Sequence, residues 1–201
     1  MSSATLKASM TCEIEPRPGA LRLAYRIRNG GETRLGLFNR IATLRADGTQ
    51  DFAPANAYIN LDGRTLRIRK QVLPVPPDLK MAGRQLPGLT VLDPGKVYDE
   101  GWSVEIPVRV CEPLQRALLA LKSAGGSVVA DRPAEADSVE LAIGVVEIDS
   151  GWRLDPVSAA HPDIFQVWPP GQAAAAQQIL HERKELSPPI PVLDYRIVRG
   201  N

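Results

Sequence analysis

Apolar and polar residues alternate along several short stretches of the chain. In residues 20–29, Leu21, Leu23, Tyr25 and Ile27 fall in one phase, and Arg22, Arg26 and Arg28 fall in the other. Residues 102–110 repeat the pattern, with Trp102, Val104, Ile106 and Val108 in phase. A period of two puts successive side chains on opposite faces of a strand, so each segment reads as a strand with one buried and one wet face. Such strands are typical of antiparallel sheets.

The same reading gives a strand at about 9–15 and a long one at about 34–46 that slips phase near Phe38-Asn39-Arg40, the mark of a bend or bulge. It gives a hairpin in which 57–61 and 64–72 flank Asp62-Gly63, read as a type I′ turn with positive φ at both central residues. A weaker strand is expected at 89–92, a central one at 138–148, a short one at 164–168 and a last one at 192–198. Pro107 lies at a polar-phase position and argues for an edge or a bulge there. Residues 131–137 read as a polar loop. Two segments change period: Leu114, Ala117, Leu118 and Leu121 are spaced as on a helix over 113–123, and a weaker stripe predicts a second helix over 172–185.

Repeated short strands with two short accessory helices predict an all-β fold, an immunoglobulin-like antiparallel β-sandwich. Residues 1–149 are read as the sandwich domain, with a helical insertion at about 112–126. Residues 150–201 are read as a C-terminal extension of short strand, helix and strand packed on it. Eighteen prolines and sixteen glycines in 201 residues suit many turns rather than long helices.

Charge narrows the partners. A formal net charge of +1 gives no global reason to expect nucleic acid or an anionic membrane. No run of about 18 apolar residues suggests a transmembrane helix. The N-terminal residues lack the apolar core of a secretion signal. A cytoplasmic location is expected, with Cys12 and Cys111 as reduced thiols.

Catalytic chemistry is poorly supplied. Ser127 lies outside any Gly-x-Ser-x-Gly context. His161 and His181 are the only imidazoles. The carboxylates Asp93, Asp99 and Glu100, and Glu147, Asp149 and Asp155, fall near turn regions without a calcium-loop spacing. No catalytic residue, metal or cofactor is assigned. The sequence favours a non-catalytic binding or assembly module with a protein partner, since sandwiches often bind through edges or end loops. The candidate contacts are Arg22, Arg26, Arg28, Arg67 and Arg69, which could line one patch if their strands are neighbours, and Trp152. The alternatives are a hydrolase with a loop-built site around His161 and a carbohydrate-binding module using an exposed tryptophan.

Overall fold

The computed structural model describes residues 6–74, 86–111 and 127–199. The helix expected at 113–123 lies outside the described residues. The fold is all-β, built of several sheets with one helix among the described residues.

The first sheet has three antiparallel strands in the order β1 (Ala8–Arg17), β2 (Ala20–Asn29), β9 (Val97–Glu105). Gly19, at φ 74°, turns β1 into β2. The β2 alternation is as the sequence predicts: Leu21, Leu23, Tyr25 and Ile27 are buried and the arginines between them are exposed.

The second, nine-stranded sheet runs β10 (Val108–Arg109), β14 (Gln178–Arg199), β11 (Ser127–Glu147), β3 (Leu35–Arg40), β8 (Gly88–Leu92), β13 (His161–Trp168), β12 (Arg153–Ser158). The hairpin of β6 (Tyr58–Asp62) and β7 (Thr65–Lys70) joins it through β7, which pairs with β11. A short pair, β4 (Thr43–Leu44) with β5 (Gln50–Asp51), stands apart.

Leu21, Leu23 and Ile27 of the first sheet share one core with Leu37, Leu66, Ile68, Leu141 and Ile143 of the second. The opposite face of the second sheet is also covered. There Phe38, Val72, Leu89 and Val146 pack with Val167 and with Ala173 of α1 (Pro170–Ala176). β3 and β11 are therefore buried on both faces, which explains the nearly unbroken apolar run from Leu141 to Val146.

Five expectations change. The second sheet is mixed, because β7 pairs with β11 and β10 with β14 in parallel. The helix predicted over 172–185 ends at Ala176, and residues 178–199, with His181, Arg183 and Lys184, form a strand. Residues 131–137 belong to strand β11 rather than a loop. The stretch 102–110 splits at Ile106-Pro107: residues up to Glu105 pair with β2, and residues from Val108 pair with β14 in the other sheet. The Asp62–Thr65 hairpin pairs around Gly63-Arg64. Only Gly63 has positive φ, 60°, which matches a type II′ turn and excludes type I′.

Tertiary contacts end the helix early. The Gln177 side chain accepts a hydrogen bond from Val72 N–H at 2.7 Å and donates one to Val72 C=O at 3.1 Å. Its amide lies against Gly144, where a Cβ would collide with it. From there β14 is committed to β11, with Gln178 opposite Val145. Gly144→Ala is expected to expel the Gln177 amide, lose both bonds and cost roughly 1–3 kcal/mol. Urea unfolding checks this; a variant as stable as the wild type would show that Gln177 does not pin the turn.

Candidate functional site

Two groups of polar side chains stand out, one between the sheets and one on the outer face of the first sheet.

The inner group begins with phase. On β9, Tyr98, Glu100 and Trp102 share the inward phase; on β2, Tyr25 does. From the opposite sheet come Asn39 and Arg40, where β3 ends, and Lys70, which follows Leu66 and Ile68 in the buried phase of β7. Tyr25, Tyr98, Arg40 and Lys70 meet at the Glu100 carboxylate, and Asn39 joins them through Tyr25. Tyr25 donates to Oε2 at 3.0 Å and Tyr98 to Oε1 at 2.9 Å. Arg40 Nη1 lies 2.8 Å from Oε1, and Lys70 Nζ also donates to Oε2. Arg40 Nη2 donates to the Tyr98 hydroxyl at 2.7 Å, and Asn39 donates to the Tyr25 hydroxyl at 3.3 Å. The Lys70 ammonium lies 4.0 Å from the centre of the Trp102 ring, within cation–π range.

Lys70 is fully buried, and the Glu100 side chain is 4% exposed. Burial outweighs the attraction of Glu100 and pulls the lysine down to about 8. Burial, helped by the Glu100 charge, pushes Tyr98 up to about 12 and Tyr25 well above its ordinary value. Four donors from four strands fill the acceptor sites of one carboxylate. The cluster ties the sheets together, and the enclosed Lys70 amine offers a substrate no approach.

The outer group follows from the strand register. Rows across β1, β2 and β9 read Ser9–Arg28–Val97, Thr11–Arg26–Asp99, Glu13–Ala24–Gly101 and Glu15–Arg22–Ser103. Ala24 and Gly101 are small, so the row they share is the floor of a shallow depression of about 600 Å3, with Thr11, Arg22, Arg26 and Asp99 around it. Arg26 pairs with Asp99 at 2.6 Å, and Arg22 approaches Glu15 at 3.8 Å. Arg28 makes no ion pair among the described residues. Exposed pairs of this kind contribute little stability, so these guanidinium groups remain available for contact.

The arginines divide between the sheets. Arg22, Arg26 and Arg28 point away from the shared core on β2. Arg67 and Arg69 lie on β7, in the other sheet, where Arg67 meets Asp62 at 2.9 Å and Glu140 at 3.6 Å. The two strands are not neighbours, so the five do not form one patch. Trp152 is half-buried against the second core cluster. His161 lies at the β12–β13 turn, with its ring edge-on to Phe52 at 5.3 Å. Asp99 and Glu100, adjacent in sequence, face opposite sides of the sheet. Among the described residues no group of three or more His, Cys, Asp or Glu is placed to hold a metal ion, and no helix is long and apolar enough to cross a membrane.

The inner cluster escapes a reading based on exposed charge. Its signal was a lysine in phase with Leu66 and Ile68, and a glutamate in phase with Trp102. A charged residue in the buried phase of a strand needs a buried partner. Comparison with protein-family models, curated proteins and solved structures finds no match to this chain.

Proposed function

We propose that the protein is a non-catalytic binding module that holds a protein partner on the outer face of the β1–β2–β9 sheet. The observation that carries this reading is the arginine-bordered depression over Ala24 and Gly101. Arg22, Arg26 and Arg28 are the polar contacts, and Glu13, Glu15 and Asp99 beside them call for a partner surface of mixed charge. The architecture is read as an immunoglobulin-like sandwich. Residues 150–201 are read as an extension; the packing of Trp152, Leu154, Phe165, Val167 and Ala173 against Phe38, Val72, Leu89 and Val146 supports this for its first part, whereas β14 is built into the second sheet between β10 and β11. The free thiols Cys12 and Cys111 suit a cytoplasmic location.

The test is capture from native cell extract, followed by binding measurements with the recovered partner. Arg26→Gln together with Arg28→Gln leaves stability within about 0.5 kcal/mol. It is expected to weaken binding at least about tenfold at low salt, mainly by slowing association. Unchanged affinity and unchanged salt dependence would remove the arginine face from the account. A hydrolytic activity abolished by His161→Ala would overturn the non-catalytic reading.

A further inference from the structure

Among the described residues β9 ends the first sheet and pairs on one side only, with β2. Its backbone orientation follows from two hydrogen bonds at its ends. Ile106 N–H donates to Gly19 C=O at 3.0 Å, and Lys96 C=O accepts from Asn29 N–H at 3.0 Å. Even-numbered residues therefore turn their N–H and C=O toward β2. Val97, Asp99, Gly101, Ser103 and Glu105 turn theirs outward, because the two sets alternate along an antiparallel strand. Among the described residues these outward groups have no backbone partner.

An edge of this kind invites another strand, and proteins commonly guard it with proline, lysine or a bulge. The other edge of the sheet has Pro16 at an outward-facing backbone position of β1, and the edge strand β12 has Pro156. β9 has nine residues, no proline, no lysine and no break in register. Tyr98 and Val104 face inward yet are only half-buried, as expected of a sheet that stops one strand short of covering them.

We infer that β9 is a homodimer edge, pairing antiparallel with β9 of a second copy about a two-fold axis at Gly101. The strand is self-complementary in this register. Gly101 meets its own copy with no Cβ on the outer face, Asp99 lies opposite Ser103, and Val97 lies opposite Glu105, so no like charges face each other. Beyond Ser103 of one copy comes its Arg22, which brings a guanidinium toward Asp99 of the other. Val97, 46% exposed, comes next to the hollow that Ala55, Glu105, Ile106 and Pro107 line on the second copy. The small-residue floor Ala24–Gly101 then continues across the axis into one trough over six strands. This pairing stands apart from the arginine-face reading, which needs no second copy.

The experiment is sedimentation velocity on the intact chain at micromolar concentrations. The wild type is expected at twice the chain mass of 21.8 kDa. Ser103→Pro removes one outward N–H and leaves the β2 ladder intact; it is expected to sediment as a monomer with an unchanged circular dichroism spectrum. Gly101→Glu, a second variant, sets two carboxylates face to face at the axis. It is expected to dissociate the dimer at low salt and to recover part of it at high salt. A monomeric wild type over the micromolar range would overturn the proposal, as would a dimer that survives both substitutions. Arginine-face binding retained by the monomeric Ser103→Pro variant, which lies outside the depression, separates this test from the previous one.

Discussion

Glu100→Gln should cost about 3–5 kcal/mol of stability in urea unfolding, whereas Lys70→Met should cost no more than about 1–2 kcal/mol. The difference follows from the charge count in the cluster. Among the described residues Glu100 is the one anion facing two cations, Lys70 and Arg40. Neutralising it leaves two buried positive charges without a counter-charge. Tyr25 and Tyr98 also lose the carboxylate that accepts their hydroxyl hydrogens. Removing Lys70 leaves Glu100 paired with Arg40 and still accepting from both tyrosines. Methionine also keeps most of the volume between the sheets, against Trp102. Equal costs for the two variants, or a loss below about 1 kcal/mol for Glu100→Gln, would mean that Glu100 is not the hub of the cluster.

Stability should rise with pH from about 8 to about 10 and fall beyond it. Folding depresses the Lys70 pKa from 10.5 to about 8. Below about 8 the ammonium is present in both states, and the folded state bears the whole cost of burying it. Between the two values the unfolded chain keeps a proton that the folded protein has released. Stability then climbs by at most about 1.4 kcal/mol per pH unit, or about 2–3 kcal/mol in all. The tyrosines act in the opposite sense. Their folded pKa values are raised, Tyr98 from 10.0 to about 12. Above about 10 the unfolded chain ionises first and stability declines. Urea midpoints measured from pH 6 to pH 11 trace the curve. In Lys70→Met the rise should vanish and the alkaline fall remain. A rise that persists in Lys70→Met would place the titrating group elsewhere.

Much of the first sheet was legible in the sequence, because β1 and β2 have one wet face and one dry face and a Pro-Gly turn between them. The β6–β7 pairing was legible for the same reason, although the glycine sits one place earlier in its turn than the sequence reading assumed. β14 was hidden. Residues 181–185 are all exposed, so no alternation marks the strand, and only its partner β11 fixes it. Residues 131–137 were hidden because Arg132, Pro133 and Glu135 are exposed and, among the described residues of the stretch, only Ala136 is buried, so no clear alternation marks it. The split at Pro107 could not be read either, because Trp102, Val104, Ile106 and Val108 keep one phase while the chain crosses between sheets; Ile106, expected in the core, is only half-buried.

The arginines at 22, 26 and 28 were legible as one face, since strand periodicity alone groups them. Their separation from Arg67 and Arg69 depends on which strands become neighbours, and alternation carries no information about that. The inner cluster was legible in principle. Lys70 and Glu100 stand in buried phases, but thirty residues separate them, and only the fold brings their side chains together.

Hydrogen-exchange footprinting of the protein with its captured partner tests the central claim most directly. Protection is expected to be confined to the β1–β2–β9 sheet, strongest around Arg22, Ala24, Arg26, Arg28 and Gly101, with β7 and the β12–β13 turn unchanged. Protection centred on Arg67 and Arg69, on Trp152 or around His161, with the arginine face of β2 unprotected, would contradict it.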